Sequence, residues 1–206
     1  MKDIMMEPLP SDIQVTADQA NLGAHKHSYG DTRGKDFIQR LDVFDNGIAV
    51  RSKDGTCLAI TWPELKMYES ATTLYGNVSH FYNFEDYNGH NFPINGAWKK
   101  SDEMAQVLRV AIAGSWVPNA LSSIAEGRPW IFVSDPAKPT YKLALSREGI
   151  IFGTVTLPWE HIQYIRLVSG NLVIKRHKKF RPAMYPSGWI PNIYSFMHLA
   201  ETLRAG

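Results

Sequence analysis

The chain has 206 residues, of which 44% are hydrophobic and 20% are charged, a composition typical of a globular protein with enough apolar residues to form a core. Its formal charge of +2 is too close to neutrality to predict an obligatory polyanionic partner, and its single cysteine, Cys57, excludes an internal disulfide and fits a reducing compartment. No stretch approaches the roughly 20 apolar residues of a membrane span, and the N-terminus lacks the pattern of a signal peptide. We therefore predict a cytoplasmic protein.

Residues 1–20 are predicted to form an irregular N-terminal arm. Pro8, Pro10 and Ser11 interrupt any helical or strand period in this stretch. We expect the arm to be mobile or to lie along a partner.

The first half of the chain that follows is rich in predicted antiparallel strands. Leu41 and Val43 alternate with polar residues before the turn at Asp45-Asn46-Gly47, and apolar residues resume after it, which is typical of a hairpin. Further strands are predicted around residues 58–62 and on both sides of the turn at residues 86–89.

Two segments change to a helical period. An apolar stripe predicts a helix that Gly114 and Pro118 should interrupt, followed by a short second helix that Gly127 ends. A second stripe near the C-terminus predicts a closing helix. The stripe residues are Met104, Val107, Leu108, Ala111 and Ile112 in the first case, and Ile193, Phe196, Met197, Ala200 and Leu203 in the second.

An internal repeat is the most informative pattern of the sequence. Gly47 and Trp62 recur in the same order as Gly149 and Trp159, and the strand patterns return after Gly127. The repeat predicts two lobes, at residues 21–127 and 128–206. The alternative is a chance recurrence, because glycine turns and aromatic residues are common in any antiparallel protein.

Several short runs resemble an uncharacterised bacterial family built from tandem pleckstrin-homology-like (PH-like) lobes. These runs are Leu41–Gly47 with Trp62, Glu148–Ile150, Leu157–Trp159, Gly170–Ile174 and Ile190–Ile193. The resemblance covers about residues 20 to 205. It implies an α+β fold, mainly of antiparallel strands, in which each lobe is a bent sheet or partly open barrel followed by a C-terminal helix. PH-like folds occur in proteins that bind lipids, peptides or other proteins, so the resemblance does not indicate which kind of ligand this protein binds.

An aromatic segment supplies the first candidate site. Phe81, Tyr82, Phe84 and Tyr87 occupy both faces of a predicted strand and cannot all enter one core, and aromatic residues are favoured in protein interfaces. We therefore predict a non-enzymatic protein-binding function, for which regulation of a partner or neutralisation of a toxin would suit a protein of this kind. The alternative is a strand that is buried on both sides.

A basic segment supplies the second candidate site, for an anionic ligand or a membrane surface. Its residues are Lys175, Arg176, Lys178, Lys179 and Arg181. Such a run can bind phosphate groups or an acidic protein face, or it can simply protect a strand edge from aggregation. Nucleic acid is the least expected partner, because no aromatic residue is interleaved within the run.

Catalytic and metal-binding motifs are not evident. The sequence has no Gly-x-Ser-x-Gly elbow, His-Glu-x-x-His helix or Cys-x-x-Cys pair, and Glu64 and Glu160 are expected to lie in separate lobes. His25 and His27 are spaced to share one side of a strand, but no third ligand lies nearby, so no metal or cofactor is expected. An enzyme of unrecognised type remains the third hypothesis, because convergent catalytic groups escape sequence inspection.

Overall fold

The computed structural model describes residues 8–31, 34–74, 77–95, 98, 100–135, 137, 141–179 and 181–206. The helices are α1 (Ser11–Gln19), α2 (Ser101–Ala125) and α3 (Ile193–Ala205). The strands are β1 (His25–Gly30), β2 (Ile38–Phe44), β3 (Gly47–Ser52), β4 (Cys57–Thr61), β5 (Lys66–Leu74), β6 (Asn77–Glu85), β7 (Asn91–Asn95), β8 (Trp130–Val133), β9 (Leu143–Leu145), β10 (Gly149–Phe152), β11 (Val155–Pro158), β12 (Ile162–Val168), β13 (Asn171–Arg176) and β14 (Ala183–Pro186).

One order of elements occurs twice along the chain. A four-stranded sheet, β1-β2-β3-β4, is followed by a three-stranded sheet, β5-β6-β7, and by α2. A second four-stranded sheet, β11-β10-β9-β8, is followed by a second three-stranded sheet, β12-β13-β14, and by α3. The neighbouring strands are paired antiparallel, as in β2 with β3 and β12 with β13, and none of these sheets closes into a barrel over the described residues. The predicted α+β class is therefore confirmed.

The chain forms two compact units. The first contains the described parts of Met1–Lys66 and Phe81–Leu108, and the second contains the described parts of Met67–His80 and Arg109–Gly206. The predicted lobe limits, 21–127 and 128–206, follow the order of elements rather than these units. They stay a prediction.

Helix α1 corrects the predicted irregular arm over Ser11–Gln19, whereas residues 1–7 of that arm lie outside the described part of the chain. Ile13 and Ala17, four residues apart on one face, are buried together with Leu22, Phe44 and Ala49 of the first unit. Pro10 precedes the helix rather than breaking it, since a proline lacks only an N–H that the start of a helix leaves unpaired. Burial of this apolar face stabilises a helix too short to persist alone.

Helix α2 corrects the predicted break at Gly114 and Pro118. It runs without interruption from Ser101 to Ala125, with Pro118 inside it. A proline there removes one backbone hydrogen bond. The buried residues Val117 and Ala120 flank it, so packing on both sides offsets the lost bond.

Helix α3 is anchored at its start by one asparagine of the second unit. Asn192 has φ 51° and precedes the helix. Its side-chain oxygen accepts the N–H of Met67 over 2.8 Å, and its own N–H donates to the carbonyl of Met67 over 2.8 Å. Phe196, Leu199 and Ala200 then form the buried face of α3. None of the helices in the described part of the chain is long and apolar enough to cross a membrane.

Candidate functional site

The first repeated corner is formed by Gly47 and Trp62. Gly47 pairs with Thr61, and a Cβ on Gly47 would lie 2.2 Å from the carbonyl oxygen of Ile60. Trp62 donates its indole N–H to the carbonyl of Asp45 over 2.8 Å and its backbone N–H to the carbonyl of Asn46 over 3.0 Å. Gly47 does not have a positive φ. Close approach of the neighbouring strand, rather than turn geometry, therefore requires glycine here.

The second unit repeats these contacts at Gly149 and Trp159. A Cβ on Gly149 would lie 2.0 Å from the carbonyl oxygen of Leu157. Trp159 donates its indole N–H to the carbonyl of Arg147 over 3.1 Å and its backbone N–H to that of Glu148 over 3.2 Å. In both units, the acceptor of the indole N–H lies two residues before the glycine, and the acceptor of the backbone N–H lies one residue before it. The two tryptophans thus occupy equivalent backbone environments.

The two corners differ in exposure and charge. Trp62 is only 6% exposed, whereas Trp159 is half-buried. In the first unit, Asp45 forms an ion pair with Lys26 over 2.8 Å and accepts the N–H of Ala24, and the bond from Lys26 holds the pKa of Asp45 below its usual value. In the second unit the equivalent position is Arg147. At this position a paired carboxylate is therefore replaced by a guanidinium group.

An open cleft of about 660 Å³ lies at the second corner. Trp159 and Glu160 come from the 3-10 turn Trp159–His161, His177 follows β13, and Arg204 lies in the last turn of α3. Arg147, Ile162, Thr202, Leu203 and Gly206 complete the lining. Its volume is in the range of pockets that hold small organic ligands.

The predicted protein-binding residues divide between core and surface. Tyr82 and Phe84 are buried, and the hydroxyl of Tyr82 donates to Asp102 over 3.3 Å. Phe81 is 39% exposed and Tyr87 is 80% exposed. Two of the four candidates were therefore wrong as surface residues, because side chains on one face of β6 point into the first unit. Their separation by two residues could have indicated this.

Another group of aromatic residues, in the second unit, was not predicted from the sequence. Trp189 is 54% exposed and Tyr141 is 40% exposed, with ring centroids 6.1 Å apart. Buried Tyr185 contacts both residues, since its ring meets that of Trp189 edge-on at 6.2 Å and its hydroxyl donates to the backbone carbonyl of Tyr141 over 3.2 Å. Phe152 packs edge-on against Tyr185 at 5.8 Å. We call these four residues the aromatic surface. They come from segments far apart in the sequence, so no local motif identifies them.

The predicted basic segment lies at the end of β13 and in the loop after it. Lys178, Lys179 and Arg181 are exposed, and Lys178 has φ 58°, typical of a turn. Lys175 is half-buried and its ammonium donates to the carbonyl of Lys179. Arg176 is also half-buried, and its Nε has no hydrogen-bond partner among the described residues. The segment is thus a hydrogen-bonded turn that presents three cations to solvent.

The histidine pair near the N-terminus corrects another expectation. A β-bulge falls between His25 and His27, which pair with Phe44 and Val43, so they do not share one side of β1. Among the residues that the structure describes, no group of three His, Cys, Asp or Glu side chains is placed to hold a metal ion.

His25 instead belongs to a polar network around buried Asp42. One nitrogen of its ring, Nε2, lies 3.0 Å from Asp42 and 3.1 Å from the hydroxyl of Ser28. Ser28 donates to Asp42 over 2.6 Å, and Arg40 donates to it over 2.7 Å. A Ser-His-Asp relay requires both ring nitrogens, one for each partner. This network therefore lacks the geometry of a relay, and it satisfies the charge of Asp42.

The structure defines a protein of two antiparallel sheet-and-helix sets, with candidate surfaces in its second unit. A family model described as a family of unknown function, DUF6585, matches residues 35–205, and the chain belongs to that family. Helix α1 and strand β1 precede the matched range. No curated protein matches the chain.

Proposed function

We propose that this chain is a non-enzymatic binding protein of two PH-like lobes and that it binds another protein through the aromatic surface. The repeated order of four strands, three strands and a helix supports the PH-like assignment of each lobe. PH-like folds carry many recognition functions, so the fold alone does not select the partner.

The single observation that carries the proposal is the half-exposed pair Tyr141 and Trp189. Large aromatic rings are costly to leave in water and are enriched at the energetic centres of protein interfaces. Tyr185 packs against the Trp189 ring and holds the backbone of Tyr141, and the Tyr141 and Trp189 rings contact each other, so little side-chain entropy is lost when a partner covers them. A rigid aromatic platform of this kind suits an apolar side chain of a partner protein.

Quantitative affinity capture from native lysate tests the proposal. The bait variants are the double substitution Tyr141→Ser with Trp189→Ser, the double substitution Phe81→Ser with Tyr87→Ser, and the matched control Val168→Ser, whose side chain is also exposed. We expect one protein to be captured by the wild type and by the control, and to be lost with the Tyr141 and Trp189 variant. If the captured protein is lost only with the Phe81 and Tyr87 variant, the assignment of the binding site to Tyr141 and Trp189 is wrong.

A second candidate function is attachment to an anionic membrane surface. Exposed Lys178, Lys179 and Arg181 support it, because clustered cations attract anionic lipid headgroups. Sedimentation with phosphatidylserine vesicles tests it. Binding that disappears in the variant Lys178→Glu with Lys179→Glu would favour this candidate over protein binding, and absence of binding by the wild type would dispose of it.

A further inference from the structure

The cleft beside Trp159 combines cationic side chains with an aromatic ring. Arg147 and Arg204 line it together with His177, and Glu160 is the single acidic side chain among the lining residues. The guanidinium groups come from the turn between β9 and β10 and from the last turn of α3, which lie far apart in the sequence. Two guanidinium groups therefore converge on one cleft, a local cluster of cationic side chains that the net charge of +2 does not reveal.

The cationic groups of the cleft are available to a ligand. Among the described residues, the Arg147 guanidinium and the His177 imidazole form no hydrogen bond or ion pair, although Arg147 interacts electrostatically with the neighbouring carboxylate of Glu148. Arg204 is oriented by a bond from its Nη2 to the carbonyl of Gln163 over 3.0 Å, which leaves its other N–H groups unused by that contact. The backbone beside the cleft is fixed as well. The indole N–H of Trp159 donates to the backbone carbonyl of Arg147, and the backbone N–H of His177 donates to the carbonyl of His161 over 2.9 Å.

This combination matches a phosphate group attached to an organic molecule. A guanidinium group presents paired N–H donors that fit phosphate oxygens, and charge-assisted bonds of this kind are stronger than neutral ones. Trp159 and Ile162 add an apolar wall that a bare inorganic anion does not need. We infer that the cleft binds a small phosphorylated compound, with its phosphate against Arg147 and Arg204 and its organic part against Trp159.

Glu160 allows a test of whether the cleft prefers an anionic or a cationic ligand. Its carboxylate is exposed at the cleft and repels an anion, so its neutralisation should strengthen the binding of a phosphate and weaken the binding of a cation. The first unit offers an internal contrast, since Asp45 stands there at the position of Arg147 and is already paired with Lys26. The inference therefore applies to the second corner, and it is independent of the protein-binding function proposed for the aromatic surface.

Isothermal titration of the full chain with pyrophosphate and with ADP tests the inference. Any affinity tag belongs at the N-terminus, because Thr202–Arg204 form part of the cleft. We expect saturable binding of both probes, with ADP the tighter because its organic part can contact Trp159. Two single substitutions, Arg147→Glu and Arg204→Glu, should each weaken binding by about tenfold. Glu160→Gln should strengthen it about threefold.

Two controls separate the cleft from nonspecific charge effects. Arg128→Glu makes the same change in net charge at an exposed arginine that does not line the cleft, and it should bind like the wild type. Lys178→Glu with Lys179→Glu tests the neighbouring basic segment and should have less effect than Arg147→Glu. Circular dichroism and thermal unfolding of each variant establish that it is folded before its affinity is compared.

A parallel arm distinguishes a soluble phosphate from a lipid headgroup. Vesicles of phosphatidylcholine with phosphatidic acid present the same phosphomonoester chemistry on a membrane. If the protein binds these vesicles through Arg147 but binds neither ADP nor pyrophosphate measurably, the phosphate ligand of the cleft is a lipid headgroup. The inference is overturned if neither probe nor vesicle binds, if Arg128→Glu weakens binding as much as Arg147→Glu, or if Glu160→Gln weakens it.

Discussion

Trp62 donates its indole N–H to the carbonyl oxygen of Asp45 over 2.8 Å, and Trp159 makes the same bond to Arg147 over 3.1 Å. The two bonds fix equivalent corners, but only Trp62 is deeply buried. Removal of a donor from a buried acceptor is more costly than removal of one that water can replace.

Replacement of these tryptophans by phenylalanine should therefore have unequal effects. We expect Trp62→Phe to lower the free energy of unfolding by about 2 kcal/mol and Trp159→Phe to lower it by about 1 kcal/mol, as measured by urea denaturation. Trp189→Phe is the control, because its indole is half exposed, and should change the free energy by less than about 0.5 kcal/mol. A larger loss for Trp159→Phe than for Trp62→Phe would contradict the difference in burial.

Alanine at the two repeated glycines should destabilise both units strongly. A Cβ at Gly47 or Gly149 would meet a backbone carbonyl oxygen at 2.2 or 2.0 Å, so a strand must move. We expect each of Gly47→Ala and Gly149→Ala to cost about 3 kcal/mol, or to prevent folding. In contrast, Gly114→Ala meets no atom within 4 Å and lies inside α2, so it should stabilise by about 0.5–1 kcal/mol. Thermal unfolding measures all three, and equal effects would refute this account of the corners.

Weakened packing of α1 should increase the reactivity of Cys57. Ile13 is fully buried, and Cys57 lies at the edge of the same cluster with its Sγ 3.5 Å from a carboxylate oxygen of Asp12. Burial, and next the bond to Asp12, raise the pKa of the Cys57 thiol, which slows its reaction. We expect Ile13→Ala to cost about 2–4 kcal/mol and to accelerate the reaction of Cys57 with a thiol reagent.

The single cysteine makes this measurement specific, because the reagent reports one site. Val15→Ala is the matched control, since Val15 lies in the same helix but is exposed. It should leave the reaction rate unchanged. Equal rates in the two variants would show that α1 does not protect Cys57.

Tyr29 should make stability depend on alkaline pH. Burial, with a smaller effect of Glu103, raises the pKa of Tyr29 from 10.0 to about 12. The unfolded chain then releases this proton at lower pH than the folded protein does, so the contribution of Tyr29 is full below pH 10 and is lost as the pH rises toward 12. Its hydroxyl has no hydrogen-bond partner among the described residues, so Tyr29→Phe should cost little at pH 7.

Denaturant titrations between about pH 9 and about pH 11 test this dependence. We expect the free energy of unfolding to fall less steeply with pH in Tyr29→Phe than in the wild type. Tyr87→Phe, at a side chain 80% exposed, should keep the slope of the wild type. If Tyr29→Phe has the wild-type slope, burial does not control this tyrosine.

The repeated glycines and tryptophans were predictable because each acts locally. A glycine followed by an apolar strand and a tryptophan encodes a corner whose indole bonds join residues 17 apart in the first unit and 12 apart in the second. The reason for glycine lies in the packing, since both glycines avoid a clash with the next strand and neither adopts a positive φ. The positions of the glycines and tryptophans could be found in the sequence, whereas the need for glycine became clear only from the packed strands.

Helices α1 and α2 show where local signals failed. Prolines 10 and 118 are strong breaking signals, yet Pro10 precedes one helix and Pro118 lies within the other. Burial of Ile13 and Ala17 in the first case, and of Val117 and Ala120 in the second, compensates for what the local sequence disfavours. That compensation depends on partners distant along the chain, which no window of sequence contains.

The alternating strands, the positions of helical segments after each set of strands and the pair of Gly–Trp corners could be predicted from the sequence, because these features follow from side-chain period and from turn residues. Which aromatic rings face solvent, and which cationic side chains line the same cleft, could be seen only in the folded protein. Tyr82 is buried and Trp189 exposed, and Arg147 joins Arg204 across a cleft, because exposure and convergence depend on what packs against each side chain and not on its neighbours in the chain.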